Sequence, residues 1–421
     1  MTKLTRRNLL TGATAVAAAS TLGAPMIWAQ NIKDVKLRQF GTGVSNLNDV
    51  ATKVKEDLGF TLEMTALDSD SDSVTQRAAT QPNSFDIADI EYWICKKVWP
   101  TGNLQAMDTS KIKFFDKISP IFTTGKLHAD SVVAQGTAPS TVGFVESADG
   151  TSFAKDVTGW MTLIPTIYNA DTLGIRPDLI KRPIESWAGL LNPEFMGKAS
   201  ILDISSIGIM DMAMVCEAMG EIKYADKGNM TTDEIDKTIG IFTEAKKAGQ
   251  FRAFWKSFDE SVKLMASGEV VIQSMWSPAV TAVKAKGIPC VFQPLKEGYR
   301  SWGGGLGLSK SLTGLELDAA YEYFNWYLSG WVGSYLMRQG YYSAGPETSK
   351  EFMSADEWGY RYEGKAAAGD ILRPPGDKPA GAGDKRDGGS YDDRMGKVAC
   401  WNAVMDENQY MVRKRNEFIA A

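Results

Sequence analysis

Short runs rich in β-branched residues alternate along this chain with segments of helical periodicity, and this alternation restricts the fold more than any other feature. Strands that alternate with helices form parallel sheets whose faces are covered by the helices. We therefore predict an α/β fold. The predicted strands are 35–40, 61–67, 85–90, 200–204 and 270–275.

The segment between the first two predicted strands shows the pattern clearly. Apolar residues from Val44 to Leu58 recur at helical spacing, Ser45 or Asn46 supplies an N-cap, and Gly59 stops the helix. A strand, a helix and a strand in this order form a βαβ unit.

Two further helices are predicted in the second half of the chain. The first begins at Thr231 with a capping box, Thr-Thr-Asp-Glu, and stops at Gly249. The second runs from about Leu315 to Arg338 and ends at Gly340, and its aromatic residues are assigned to the core rather than to a site.

The C-terminal part has two different patterns. The stretch 373–390 is rich in Pro, Gly and charge, and we predict a mobile surface loop there. From 392 to 421 the helical pattern returns, with Trp401, Val404, Met405 and Tyr410 spaced as on one terminal helix. This helix is expected to pack back onto a domain.

The first 30 residues have the pattern of an export signal. Arg6 and Arg7 precede a mildly apolar stretch, Leu9 to Trp28, that contains Gly and Pro and is followed by the small residue Ala29. A membrane-spanning helix needs about 20 strongly apolar residues, so residues 1–30 are predicted to be a cleaved twin-arginine signal peptide. The alternative is a frayed N-terminal helix with a chance pair of arginines. The signal predicts a mature protein that is soluble in the periplasm.

Charge and residue usage exclude several classes of function. The net charge of −5 and the pI near 5.3 argue against nucleic acid or an anionic membrane as partner, because either favours clustered Lys and Arg. The basic run Arg413–Arg415 is interpreted as a solvated helix face. His128 is the only histidine, which nearly excludes Ser-His-Asp, Cys-His and H-E-x-x-H chemistry. We predict no catalytic residue, no metal site and no cofactor.

The four cysteines form no C-x-x-C pair, so no zinc-ribbon or thioredoxin signature is present. Export makes disulfides possible. Because the neighbours of each cysteine are apolar, free buried thiols are the preferred interpretation. The cysteines are Cys95, Cys216, Cys290 and Cys400.

Three motifs occur in a characteristic order. The first is FDIADIEYW, 85–93, and the second is IESWAGLLNPEFMGKASILD, 184–203, which fits S-W-x-x-L-x-x-P-E-x-x-G-K. The third is LMASGEVVIQSMWSPAV, 264–280, with a G-E-V strand followed by a tryptophan. In these motifs the chain resembles the periplasmic substrate-binding proteins of ABC importers, specifically the spermidine/putrescine-binding branch.

The resemblance implies a two-lobed periplasmic binding protein fold of type II, with the ligand in the cleft between the lobes. It places lobe one at about 31–163 plus 303–343 and lobe two at about 164–302 plus 344–421. General physics gives the same location for a site, because ligands of open α/β sheets bind beyond the carboxyl ends of strands, near helix N-termini.

Five aromatic residues are candidates for the ligand site. Trp276 follows the strand VVIQSM and matches the cleft tryptophan of the resembled family, and Trp93 follows FDIADIEY in the same way. Trp302 precedes three glycines at a predicted crossover, while Tyr341 and Tyr342 fall where that family has a hinge aromatic. The alternative for each tryptophan is a place in the core, and for the tyrosines an ordinary surface turn.

Four polar residues complete the candidate site. Asp203, Ser205 and Ser206 lie at a strand end that opens a helix, where they serve either as caps or as ligand contacts. Thr42 lies in the loop after the first strand.

The chain departs from the polyamine binders at the positions where they carry acids. Those acids fall here on Ser205, Gly208 and Gly304, and only Asp89, Glu91 and Asp203 are acids near the site. A buried ammonium without a carboxylate partner is costly, so we predict a small polar, amine-containing solute rather than a simple diamine. It would have one cationic end, or be a zwitterion or anion bound by Thr42, Ser205 and Ser206.

The predicted function is solute capture between the lobes and delivery to the membrane subunits of an ABC permease by a monomer that makes and breaks no bond. One alternative is an exported enzyme on the same fold. Another is a binding component for a chemoreceptor, which shares the capture step and differs only in its partner.

Overall fold

The computed structural model describes residues 32–67 and 71–421. The predicted signal peptide, 1–30, lies outside the described residues. Within these residues, no helix combines the length and the apolar character needed to cross a membrane.

The strands vary from two residues to twelve, and two of them are much longer than the others. In the first half of the described chain they are β1 (Lys36–Thr42), β2 (Thr61–Leu67), β3 (Ile87–Glu91), β4 (Leu104–Gln105), β5 (Met107–Asp108), β6 (Gln135–Gly136), β7 (Trp160–Met161), β8 (Ile164–Ile175) and β9 (Ala199–Leu202). In the second half they are β10 (Phe251–Trp255), β11 (Ile272–Met275), β12 (Val291–Phe292), β13 (Tyr299–Ser309), β14 (Tyr342–Ser343), β15 (Ile371–Arg373), β16 (Asp377–Ala380) and β17 (Val398–Trp401).

Helices connect these strands and cover the sheet. They are α1 (Asn48–Leu58), α2 (Ser71–Thr80), α3 (Cys95–Val98), α4 (Pro120–Thr123), α5 (Ser205–Ala218), α6 (Thr232–Lys247), α7 (Phe258–Ser267), α8 (Ser277–Ala285), α9 (Gly314–Leu328), α10 (Trp331–Arg338), α11 (Pro346–Lys350), α12 (Ala355–Arg361), α13 (Tyr391–Met395) and α14 (Asn408–Ala420). The capping box predicted at Thr231 is confirmed at the start of α6. A second capping box, at Ser257, begins α7.

The two long strands, β8 and β13, join two halves of the molecule. The order along the sheet is β10-β9-β11-β8-β13-β3-β1-β2. The strands β1, β2 and β3 are parallel to one another, and so are β9, β10 and β11. Because β8 and β13 pair antiparallel to each other and to their outer neighbours β11 and β3, the strands of the two halves run in opposite directions. Their carboxyl ends therefore converge on the middle of the molecule.

The sheet and the helices that cover it enclose two apolar cores, and the larger one extends into both halves. One core includes Phe40, Val54 and Ile87 and continues beneath β8 and β13. The other includes Ile201 and Phe242. The predicted crossovers at 163/164 and 302/303 fall at the start of β8 and within β13, and the lobe limits themselves stay a prediction.

The first helix begins later than predicted. Its N-cap is Leu47, which offers no side-chain cap, because Ser45 and Asn46 are engaged elsewhere. Both donate hydrogen bonds to Asp89 in β3. Ser45 and Asn46, which the sequence pattern assigned to the N-cap, therefore connect the loop after β1 to β3.

The long helix predicted from Leu315 to Arg338 is two helices, α9 and α10. The break is at Gly330, whose φ of 117° is a conformation that L side chains rarely adopt. A Cβ at this position would collide with the carbonyl group of Thr348. Helical periodicity continues across the break, which is why the sequence pattern did not reveal it.

Two predictions for the C-terminal region are wrong. The stretch 373–390 is not only loop, because it includes most of the hairpin of β15 and β16. Trp401 ends β17 and does not belong to the terminal helix. That helix, α14, does pack back onto the molecule, with Met411 and Phe418 buried against α5 and α6.

The basic run in α14 is only partly solvated. Arg415 is fully buried and donates to the carbonyl oxygen of Leu202 at 3.0 Å, whereas Arg413 is exposed. The prediction of a solvated face fails for Arg415 because a charge run shows no sign of its distant partner. The four cysteines are free and buried, as predicted.

Candidate functional site

A cavity of about 630 Å³ lies between the two halves, where the carboxyl ends of their strands converge. From the half that contains β1 to β3, it is lined by Thr42, Gly43, Val44, Ser45, Ser71, Val74, Asp89, Ile90, Glu91 and Ile94. From the half that contains β9 to β11, it is lined by Ile204, Ile207, Ser257, Phe258, Asp259 and Trp276. The long strands and the segments beside them add Thr166, Ile167, Arg300, Trp302, Gly304, Gln339, Tyr341, Arg373 and Asn402.

Two carboxylates stand in the wall formed by β3. Asp89 and Glu91 are two residues apart, so their side chains leave the strand on the same face. Asp89 is 6% exposed and accepts hydrogen bonds from Ser45 and, at 2.9 Å, from Asn46. Glu91 accepts from the indole Nε1 of Trp93 and from Asn402 at 3.4 Å. The wall is therefore a pair of close acids held by neutral donors.

The pKa values of this pair are perturbed by burial. Burial raises the pKa of Asp89 to about 7, and the negative charge of Glu91 adds to the rise against the hydrogen bonds from Ser45 and Asn46. Burial also raises the pKa of Glu91, against the hydrogen bonds from Trp93 and Asn402 and the charge of Arg300. A cation in the cavity would favour the ionised form of both carboxyl groups.

The floor of the cavity is built around Arg300 of β13. Its Nε donates to Asp211 at 2.6 Å, its Nη1 donates to Asn402 at 2.9 Å, and its Nη2 lies 3.5 Å from Asp171. Burial alone would lower the pKa of this guanidinium, but the attraction of Asp211 and Asp171 outweighs it and holds the pKa above its ordinary value. The charge of Arg300 is thus already balanced inside the protein.

Aromatic side chains form two further parts of the wall. Trp276 is the N-cap of α8 and packs edge to face on Trp255, with ring centroids 4.8 Å apart. Trp302 of β13 packs edge to face on Tyr341 at 6.0 Å. Both cavity tryptophans are partly exposed, so each has ring surface available to a solute.

One hydroxyl group in the wall lacks a partner. Thr166 of β8 is 1% exposed, and its Oγ1 has no hydrogen-bond partner among the described residues. A buried hydroxyl gains by accepting or donating a hydrogen bond. This oxygen is itself covered by the wall, and the neighbouring hydroxyl group is that of Tyr327.

The structure brings four of the nine predicted site residues into the cavity wall and leaves five outside it. The four are Thr42, Trp276, Trp302 and Tyr341. Trp93 is buried behind the wall and supports Glu91 by its hydrogen bond. The role of all nine in binding stays a prediction.

The remaining four residues have partners or places in the core. Asp203 forms ion pairs with Lys256 and Arg415, each at 3.4 Å. Ser205 and Ser206 begin α5, of which Ile204 and Ile207 reach the cavity instead. Tyr342 is fully buried, packed edge to face on Tyr391 at 5.0 Å and beneath the guanidinium of Arg386.

Several wall residues were not predicted. Arg300 and Asn402 meet in the floor although they are distant in sequence, and no local motif signals such a contact. Ser257 and Asp259 lie in the first turn of α7, where a capping pattern explains them without a site. Asp89 and Glu91 were named from the sequence as acids near the site, and their spacing of two at the end of the predicted strand 85–90 was the signal for the acidic wall. No group of three or more His, Cys, Asp or Glu within the described ranges could hold a metal ion.

Solved structures with the same fold are found among solute-binding proteins. A Listeria monocytogenes protein described as a spermidine/putrescine ABC transporter has a TM-score of 0.63 at 12% identity, covering 91% of this chain and 98% of its own. The spermidine/putrescine ABC transporter substrate-binding protein of Streptococcus pneumoniae has a TM-score of 0.56 at 15% identity, covering 76% and 86%. A GABA receptor has a TM-score of 0.53 at 18% identity, covering 77% and 87%. At these identities the likeness shows the fold, and it confirms the predicted two-lobed α/β architecture.

A search of curated protein sequences found no match. The profile of the bacterial extracellular solute-binding protein family, in contrast, matches residues 49–358. This range contains strands from both halves of the sheet and most of the cavity wall. The chain belongs to the bacterial extracellular solute-binding protein family.

Proposed function

We propose that this protein captures a small polar, amine-containing solute in the cavity between its halves and delivers it to an ABC permease of the spermidine/putrescine type. The proposal includes export by the twin-arginine signal to the periplasm, action as a monomer, and release of the solute chemically unchanged. The observation that carries it is the pair of buried carboxylates, Asp89 and Glu91, in the wall of a solute-sized cavity that also has aromatic sides.

The acidic wall supports an amine as the bound group. Two carboxylates on one face of a strand repel each other, and an ammonium ion placed between them removes that repulsion and replaces water as hydrogen-bond donor. Two cations line the cavity among the described residues, and both have partners. Arg300 is engaged by Asp211 and Asp171, and Arg373 is ion-paired with Asp377 at 3.0 Å. The negative charge of the wall is therefore available to a ligand.

The aromatic residues support a solute with an aliphatic body. Trp276 and Trp302 line the cavity from different elements, because Trp276 is the N-cap of α8 and Trp302 belongs to β13. Methylene groups pack well on indole faces, and a cation near such a face gains a further attraction. Two similar structures, a spermidine/putrescine substrate-binding protein and a GABA receptor, are named after solutes that combine a primary amine with a short methylene chain.

The side of the cavity opposite Asp89 and Glu91 favours a solute with a single cationic end. In the half that contains β9 to β11, the one acid lining the cavity within the described residues is Asp259, and it is exposed. An exposed carboxylate is screened by water and contributes little to binding an ion. A second ammonium would thus lose its hydration without gaining a buried partner.

Calorimetric titration of the mature protein tests the proposal with four amines: putrescine, spermidine, N-acetylputrescine and GABA. We expect the two compounds with one ammonium to bind more tightly than the two polyamines. Micromolar or tighter binding of putrescine and spermidine, with weaker binding of the others, would restore a plain polyamine assignment. If none of the four bound, the amine proposal would be wrong.

Two controls address the remaining parts of the proposal. Mass spectrometry of the solute recovered after incubation should return it unchanged, and a converted product would instead support an enzyme.

Replacement of Arg6 and Arg7 by lysine should prevent export of the full chain. Export that survived this replacement would contradict the twin-arginine route.

A further inference from the structure

A second cavity lies beside α8, apart from the solute cavity. Its volume is about 30 Å³, which exceeds the roughly 10–15 Å³ that a single water-sized species requires. Ser277 and Thr281 contribute hydroxyl groups to its wall, and Phe292 and Tyr360 contribute aromatic rings. Such a space admits a single small molecule or ion.

Cations outnumber carboxylates among the side chains that line this cavity. Four cationic side chains line it, and Asp387 is the one carboxylate in the wall among the described residues. That carboxylate is already engaged, because it lies 3.3 Å from the ammonium of Lys284 and accepts a hydrogen bond from the amide of Phe292 at 3.1 Å. The cations are Lys284, Arg361, Arg386 and Arg394.

The arginines are bonded mainly to neutral groups. Arg361 donates to the carbonyl oxygens of Met337 at 3.0 Å and Leu372 at 2.8 Å. Arg386 donates to the carbonyl oxygen of Gly340 at 2.9 Å. Carbonyl groups satisfy the hydrogen bonds of a guanidinium but do not neutralise its charge.

Two of these arginines also keep an unused donor. Arg361 is 3% exposed and Arg394 is 1% exposed, and the Nε of each has no hydrogen-bond partner among the described residues. Burial lowers the pKa of Arg361 to about 9 and that of Arg386 to about 10, and repulsion between the guanidinium groups adds to both effects. Each observation indicates a missing negative charge.

We propose that this cavity binds one small monovalent anion of the halide class. A neutral water molecule of the same size would leave the cations uncompensated, whereas a chloride ion supplies the charge and accepts several N–H and O–H donors at once. The site is independent of the solute cavity and does not rest on the function proposed for that cavity.

Thermal unfolding of the mature protein tests the proposal with chloride as the probe. Sodium chloride is compared with sodium gluconate at the same ionic strength, because gluconate is too large for the cavity. We expect the unfolding midpoint to be about 3 °C higher when chloride is in hundredfold excess over its Kd. Equal midpoints in the two salts over the whole concentration range would overturn the proposal.

A pair of variants distinguishes anion binding in this cavity from a general effect of salt on thermal stability. Arg386→Gln removes one cation of the cavity and should reduce the difference between chloride and gluconate. Arg176→Gln is the control, since Arg176 is also buried but is ion-paired with Asp178 at 2.8 Å outside the cavity. It should lower stability and keep the full chloride effect. The same chloride effect in both variants would contradict the assignment.

Crystals grown with bromide give a test that does not depend on the folding of a variant. Anomalous scattering should show one bromide ion in this cavity at low millimolar concentration. A water molecule there, with no anomalous signal, would show that the cavity does not bind an anion.

Discussion

The side-chain amide of Asn402 donates to Glu91 at 3.4 Å although 311 residues separate them in the sequence. The same amide group accepts from Arg300 at 2.9 Å. Asn402 follows β17, which pairs with β13, so the C-terminal segment connects the acidic wall of the cavity to its floor. The carboxylate is therefore held in position by an element that the sequence alone does not associate with it.

Trp276 is expected to contribute directly to solute binding. Trp276→Ala should weaken binding by roughly 1 to 3 kcal/mol, because an aromatic contact or cation–π partner is lost. The fold should survive, since the ring is partly exposed. Titration calorimetry gives the affinity, and thermal unfolding gives the stability.

Trp326→Ala is the matched control for this variant. Trp326 is partly buried on α9, donates to Asp57 at 2.9 Å and does not line the cavity. Its removal should leave the affinity unchanged. If Trp276→Ala instead kept full affinity and lost much stability, Trp276 would belong to the core.

The buried carboxylates of the cavity should contribute more to the affinity for an amine than the exposed carboxylate does. Asp89→Asn or Glu91→Gln is expected to weaken binding of an amine by roughly 2 to 5 kcal/mol, the range for breaking a buried charge pair. Asp259→Asn, the exposed control, should change it by less than about 1 kcal/mol. Calorimetry on the three variants measures the difference. A larger effect of Asp259 than of Asp89 would indicate that the amine binds in the opposite half.

The sequence was sufficient to predict the alternation of strands and helices and the place of the cavity. The strand 61–67 and the helix that begins after Thr231 agree with the structure, because local periodicity and capping residues determine them. The convergence of strand ends follows from general topology. These features depend on neighbours in sequence.

Features that depend on distant partners were missed. Arg415 resembled a solvated residue because its partner, Leu202, is far away in the chain. Asp203 is a predicted site residue that also forms ion pairs with Lys256 and Arg415, and no local pattern indicates either pair. Tyr342 was placed at a hinge, whereas its ring is enclosed by other aromatic residues. Sequence patterns report periodicity and polarity, and they do not report which cation meets which carbonyl group.

Replacing glycine by alanine should have opposite effects on stability at the break between α9 and α10 and in the middle of a helix. Gly330→Ala is expected to lower the free energy of unfolding by more than about 1 kcal/mol, because φ is 117° and the new Cβ meets the carbonyl group of Thr348. Gly240→Ala, in an open position within α6, should raise it by roughly 0.5 to 1 kcal/mol. Denaturant unfolding measures both. Stabilisation by Gly330→Ala would contradict the described break.

The carboxyl groups in the cavity region should make stability and binding depend on pH in opposite directions. Burial raises the pKa of Asp89 and of Asp171 to about 7, so between about pH 4 and pH 7 the folded protein holds protons that the unfolded chain has released. The stability of the ligand-free protein should therefore fall as the pH rises through this window.

Amine binding should strengthen over the same range, because an ammonium ion prefers the ionised form of Asp89. Below pH 7 the affinity is expected to rise by up to about tenfold per pH unit, and binding at pH 7 should release protons. Calorimetry in buffers with different ionisation enthalpies measures that release. In Asp89→Asn the proton release and much of the pH dependence of affinity should disappear. If they were unchanged in this variant, Asp89 would not be the group that titrates when the amine binds.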